Sequence, residues 1–340
     1  TMPIRVAING LGRVGEMALR HWLSDDRGIE IVAINDLAPL DHLTYTLRYD
    51  SVHPVPPKDI ASGDGWLRAD GHTIQALQVR DPAQLPWGDL GIDVVIEATG
   101  VFETRDGMAK HLAAGAKRVV LTAPAKDDGA DVTVCMGVNE GMYDPSQHRL
   151  ISNASCTTNC LAPVLRAVDA AFGIEWAMVS TIHAYTGSQA LIDVSAKGRR
   201  GRAAALNIVP TSTGAAKAIG LVLPGLAGKV DGMAYRVPVP DGSVIDVVCQ
   251  LDRATTVEAL NEAFRAAAGD TSYRGVLAVT ADEIVSSDII GRAESAIVDL
   301  PSTMVMGGES CIAKVVAWYD NEWGYAARVM DIVAYIGGTP

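Results

Sequence analysis

The sequence predicts a two-domain α/β protein: an open, mostly parallel sheet first, then an α+β half built on a more antiparallel sheet. Three observations carry this. A β-branched run at residues 4–8, IRVAI, breaks off at Asn9-Gly10 and flows into a helical pattern. Aromatic residues are only 5% of the chain while small and branched aliphatic residues abound. A length of 340 residues exceeds the usual size of one domain.

The elements follow in order. Residues 13–23, RVGEMALRHWL, place apolar side chains at helical spacing, and IEIVAIND (29–36) reads as the next strand. Strand, glycine turn, helix and strand make the βαβ unit of a parallel sheet. Further strands read at 93–100, 118–124 and 132–138, with a helix at 108–116. From Ser155 the pattern changes: a helix over 157–171 is followed by longer strand candidates at 176–185, 233–239 and 243–251, with helices near 212–222 and 256–268. The tail, 322–336, is helical in pattern and is expected to return to the first domain. The predicted division is therefore 2–154 plus 320–340 for the first domain and 155–319 for the second. Residues 195–205, SAKGRRGRAAA, read as a basic loop.

A net charge of −12 argues against a general nucleic-acid or membrane-surface role, since phosphate backbones are repelled at long range. It leaves room for a local cationic pocket. Five cysteines in a long chain do not form a disulfide framework, and no signal peptide or bilayer-spanning run is read, so a cytoplasmic protein is expected.

Gly10, Gly12 and Gly15 form G-x-G-x-x-G between strand and helix. The first allows a tight turn, the second lets backbone approach a pyrophosphate, and the third lets helix and strand pack closely. Asp36 ends the next strand at the offset of about 20 residues where an acid bonds the adenosine ribose. The first domain thus reads as Rossmann-type, and an acid at that point repels a 2′-phosphate, favouring NAD.

The stretch NASCTTNC, 153–160, holds Cys156 and Cys160. Zinc needs four ligands and this pair supplies two, so no metal site is expected. Cys160 falls one turn inside an apolar helix and reads as inert core. Cys156 sits where loop meets helix, and the helix dipole is expected to lower its pKa. A nucleophilic thiol needs a base; His183, ending an apolar strand in STIHAYTG, is the candidate, with a satisfied core histidine as the equal alternative.

INGLGRVG, EATGVF, SNASCTTNC, HAYTG, NIVPTSTGAAKA, RVPVP and WYDNEWGY occur in this order along the whole chain. With them the chain resembles phosphorylating glyceraldehyde-3-phosphate dehydrogenases, and ASCTTNC is among that family's most specific motifs. The resemblance implies a glycolytic homotetramer that oxidises D-glyceraldehyde 3-phosphate with NAD and inorganic phosphate to 1,3-bisphosphoglycerate, through a Cys156 thiohemiacetal and thioester with His183 as base. It implies a site for attacking phosphate at Ser155, Thr157, Thr213 and Gly214, and one for the substrate phosphate at Thr186, Arg200 and Arg236. For the cofactor it implies Arg13 and Val14 beside the pyrophosphate, and Arg80, Thr99, Gly100 and Thr122 along the cleft. Asn321 would hold the carboxamide, with Tyr325 nearby.

Some positions depart from the pattern. Val194-Ser195 stands where Leu-Pro or Gly-Pro is common, Ser188 where Asp or Thr is common, and Pro54 where Gly is usual. Val194-Ser195 bears on NADP use against the Asp36-Leu37 signal. The alternatives are erythrose-4-phosphate dehydrogenase, a sister family, and a dinucleotide-binding interaction protein with incidental catalysis.

Overall fold

The computed structural model describes residues 2–53, 59–195 and 198–338; Pro54 and two residues of the basic loop, Ala196 and Lys197, lie outside them. The chain forms two compact units. The first comprises 1–136, 140–155 and 326–340, the second 137–139 and 156–325.

The first unit contains β1 (Ile4–Asn9), α1 (Arg13–Ser24), β2 (Ile29–Asn35), α2 (Leu40–Arg48), β3 (Ile60–Gly63), β4 (Trp66–Ala69) and β5 (His72–Leu77). It continues with β6 (Val94–Glu97), α3 (Arg105–Ala113), β7 (Arg118–Leu121), β8 (Val132–Thr133) and β9 (Leu150–Ser152). The sheet runs β3-β4-β5-β2-β1-β6-β7-β9-β8. Its centre, β5-β2-β1-β6-β7-β9, is parallel throughout, and the strand order reverses between β1 and β6. That order is the Rossmann arrangement, whose ligands bind at the reversal. The central strands are aliphatic on both faces because both are covered: Val6, Ala7, Ile8, Val94, Val95 and Ile96 are fully buried.

Several strands are shorter than predicted, for local reasons. β6 stops at Glu97, not at residue 100, because the Thr99 N–H turns back to the Glu97 carboxylate and Gly100 takes φ +68°. β7 ends at Leu121, and β8 keeps two residues before Gly137 at φ +75°. α3 starts at Arg105, where the Thr104 side chain accepts the Gly107 N–H, and is finished before Gly115 at φ +100°. The sequence reading missed α2 and the β3–β5 meander. An Asp70-Gly71 pair joins β4 to β5 with both residues at positive φ, a hairpin signal that was there to be read.

The second unit contains α4 (Cys156–Phe172), β10 (Ile174–Ala184), β11 (Val209–Ser212), α5 (Ala215–Val222), β12 (Val230–Val237) and β13 (Ser243–Thr256). It continues with α6 (Val257–Gly269), β14 (Leu277–Thr280), β15 (Ala296–Asp299), β16 (Met304–Val305) and β17 (Glu309–Tyr319). The sheet order is β11-β12-β10-β13-β17-β15-β14, with β16 on β17. It is antiparallel except at β10/β12 and β14/β15. α4 packs on α5, α6 and strands β13, β15 and β17. The strands between 277 and 319 were not anticipated. The last helix, α7 (Trp323–Gly338), belongs to the first unit from Ala326 onward. Among the described residues no helix is long and apolar enough to cross a membrane.

Candidate active site

Ala154 is held at φ +53°, a left-handed backbone that a non-glycine residue rarely adopts, just before α4 begins at Cys156. The thiol therefore sits in the first turn of a 17-residue helix. Its Sγ lies 3.4 Å from His183 Nε2, from near the end of β10. His183 Nδ1 lies 2.7 Å from the Ala184 carbonyl oxygen, and the tautomer that donates there leaves Nε2 to accept from the sulfur. Parallel pairing of β10 with β12 sets Arg236 beside His183. The Arg236 Nη1 donates to the same carbonyl at 2.9 Å and stands 2.8 Å from Nδ1.

Below this pair lies a hydroxyl relay. The buried Tyr319 hydroxyl is 2.8 Å from both Thr157 Oγ1 and Thr181 Oγ1, and its ring meets His183 edge-on at 5.9 Å. Tyr319 and Thr181 were not picked out as site residues, although both fall inside quoted motifs.

The electrostatics correct one expectation. Burial raises the Cys156 thiol pKa, and this outweighs the lowering by Arg236, the Thr157 hydroxyl and the N–H groups of the first helical turn. Burial, then the Arg236 charge, pushes His183 down to about 3, against the pull of the Ala184 carbonyl. Both shifts favour the uncharged forms, thiol and imidazole. Cys160 is buried and its thiol is raised well above the ordinary value, as inert core should be.

The residues expected to hold phosphate make contacts of their own. Arg200 donates from Nε to Thr211 Oγ1 at 2.9 Å and its charge reaches His183 and Arg236. Thr186 Oγ1 bonds Ser188 Oγ at 2.9 Å. Thr213 accepts the Ala215 N–H, and Gly214 caps α5. Ser155 directly precedes Cys156. Asn321 accepts from Ser243 Oγ at 2.6 Å, and Tyr325 is buried in the first turn of α7.

In the first unit a cleft of about 370 Å³ opens at the β1/β6 reversal, lined by Gly10, Gly12, Asp36, Arg80 and Thr99. Leu37, read from sequence with Asp36 as a cofactor-preference signal, also lines it, and Asn9, Asn35, Val79, Ala98, Val101 and Phe102, not singled out as cofactor contacts, complete it. A methyl at Gly12 would meet only open space, while one at Gly15 would lie 2.0 Å from the Gly10 carbonyl oxygen. Glycine thus leaves room for a ligand at the first position and lets the helix close onto the turn at the other. The Asp36 carboxylate is fixed by the Leu11 N–H at 2.7 Å and the Ala38 N–H at 2.8 Å, so each oxygen keeps a free lone pair for a ribose hydroxyl. Arg13 turns its guanidinium onto Asp50, which leaves backbone N–H groups to face a pyrophosphate; Val14 shares that first turn. Thr122 donates from both N and Oγ1 to the Glu97 carbonyl, and Gly100 shapes the turn after β6. These residues fit a dinucleotide.

Two family patterns match the chain: "Glyceraldehyde 3-phosphate dehydrogenase, NAD binding domain" over residues 4–105, and the "C-terminal domain" of the same name over 155–321. The chain is 48% identical over 337 residues to the glyceraldehyde-3-phosphate dehydrogenase of Streptomyces coelicolor, covering 99% of both chains. It is 48% identical over 336 residues to that of Geobacillus stearothermophilus, covering 98% of each. The chain belongs to the glyceraldehyde-3-phosphate dehydrogenase family. This dehydrogenase is an NAD-dependent oxidoreductase of glyceraldehyde 3-phosphate, with inorganic phosphate as co-substrate. A Rossmann-type unit and a unit on a largely antiparallel sheet are the fold of this family.

Proposed function

We propose that the dehydrogenase works through covalent catalysis by Cys156 with His183 as its base, a reading carried by the 3.4 Å approach of Sγ to His183 Nε2. As the sulfur attacks the aldehyde carbon, its proton passes to Nε2. The thiohemiacetal oxygen develops charge beside the N–H groups that open α4. NAD, when bound, supplies the hydride acceptor that makes the thioester. Inorganic phosphate then attacks the thioester carbon, the acyl phosphate departs and the thiolate recovers a proton. A soft sulfur nucleophile splits one difficult step into two easier ones.

Arg236 and Arg200 suit the substrate phosphate, because guanidinium forks bind phosphate bidentately, with Thr186 at its edge. Ser155, Thr157, Thr213 and Gly214 suit the attacking phosphate, which neutral donors hold without trapping. Gly10, Gly12, Asp36, Arg80 and Thr99 would hold NAD, with Arg13, Val14, Gly15, Gly100, Thr122, Asn321 and Tyr325 completing its site. The residue-level division, 2–154 plus 320–340 for cofactor and 155–319 for catalysis, belongs to the same reading.

A cytoplasmic homotetramer is the assembly we favour. Leu191, Ile192, Leu206 and Ile208 are each more than two-thirds exposed in one segment of the second unit, large apolar side chains that a subunit contact would cover. Rapid mixing of enzyme, NAD and aldehyde tests the mechanism. A burst of NADH without phosphate, becoming steady turnover with it, is expected; turnover indifferent to phosphate would overturn it.

A further inference from the structure

Behind the cleft wall of the first unit lies a hydrogen-bonded cluster that the chemistry above does not use. Glu97 ends β6 and is fully buried, as is His111 on α3. Glu97 Oε1 accepts the Thr99 N–H at 2.9 Å and the Thr99 hydroxyl. Its Oε2 accepts from Asn9 Nδ2 at 2.6 Å and from His111 Nε2 at 2.9 Å. Four donors fill the four acceptor sites of one carboxylate. The indole Nε1–H of buried Trp87 points at His111 Nδ1 from 2.9 Å. An indole nitrogen only donates, so Nδ1 is bare and the ring hydrogen faces Glu97.

The cluster reaches the cleft through its other members. Asn9 Oδ1 accepts from Asn35 Nδ2 at 2.7 Å, and the Asn35 amide clamps both backbone groups of Val79. Asn9, Asn35, Val79 and Thr99 all line the cleft. The glycine turn rests on the same wall: a methyl on Gly10 would lie 2.8 Å from the Thr99 nitrogen.

We propose that Glu97 and His111 are positioning residues for the cofactor: they lock the ends of β1, β2 and β6 at one spacing and so hold the cleft in its NAD-binding shape before NAD arrives. A preformed site binds more tightly because no ordering is left to do on binding. The proposal rests on the reading of this cleft as the nucleotide site.

Replacement of His111 separates hydrogen bonding from space filling. Phe has similar bulk but neither accepts nor donates, whereas Gln can accept from Trp87 and donate to Glu97. In His111→Phe, calorimetric titration should show NAD and ADP-ribose bound about tenfold more weakly, with KM for NAD raised alike. KM for the aldehyde and the rate of Cys156 alkylation should stay unchanged, and His111→Gln should recover most of the affinity. Should His111→Phe fail to fold, Glu97→Gln, which aims an amide donor at other donors, carries the same test. Unchanged affinity in a folded His111→Phe, or a Gln variant as weak as Phe, would overturn the proposal. Asp36→Ala is the control. If it too leaves NAD binding intact, the cleft reading itself fails; if it weakens binding while His111→Phe does not, only the positioning role fails.

Discussion

At the scale of single residues, Arg236 has two opposed effects on the reacting pair. Its charge lowers the Cys156 thiol pKa and also disfavours a proton on His183. Arg236→Leu should therefore raise both. Because alkylation by a neutral reagent reads the thiolate alone, its rate-against-pH curve at Cys156 should shift to higher pH. A curve that stays in place would mean that the guanidinium does not act on the sulfur. Cys156→Ser keeps the geometry but loses the soft nucleophile, and should abolish the phosphate-independent burst while leaving calorimetric NAD affinity within about twofold. These residues were legible in the sequence as motifs. Their charge states were not, because burial comes from β10, β13, β15 and β17 packing on α4, and no spacing rule reports that.

Between elements, the corner of α1 and α2 is fastened by Asp50. Burial alone would raise its pKa, but the Arg13 guanidinium and the N–H groups of His53 and Val52 prevail and hold it at about 2. A depressed carboxylate contributes stability that is present above its unfolded value near 3.8 and is lost as pH falls through about 2. Asp50→Asn should cost on the order of 1–2 kcal/mol at pH 7 and progressively less in acid, as read by denaturant unfolding at several pH values. The turn itself has no slack. Gly15→Ala would drive a methyl into the Gly10 carbonyl oxygen, push α1 off β1 and weaken NAD binding at least tenfold. Equal affinity in that variant would show that the turn yields. The glycine spacing announced this contact, whereas the Glu97–His111 cluster was not read, since it also draws in Asn9, 88 residues from Glu97, and Trp87, 24 residues from His111.

For the whole molecule, the parallel sheet was readable because its strands are apolar runs punctuated by glycine. The second sheet was half read: β14 to β17 are short or lie late in the chain, and their identity as strands depends on pairing with one another and, for β17, with β13 rather than on local pattern. Assembly belongs to this scale too. Sedimentation should give near four times the 35.8 kDa chain mass, and Leu206→Asp, placing charge on an exposed apolar segment, should shift it to smaller species. A wild-type monomer at micromolar concentration would refute the tetramer.

The first unit is also discontinuous along the chain. Val329, Met330, Ile332, Val333 and Ile336 of α7 are fully buried, Gly337 packs on Ile4, and Arg27 pairs with Asp331. During synthesis, then, the strands that open the chain wait for a helix made some 300 residues later. Until it emerges from the ribosome, apolar surface around β1 is left uncovered, so the nascent chain should depend most on chaperones until α7 has been made. Removing α7 should not trim this enzyme; it should leave its first half permanently in that interim state.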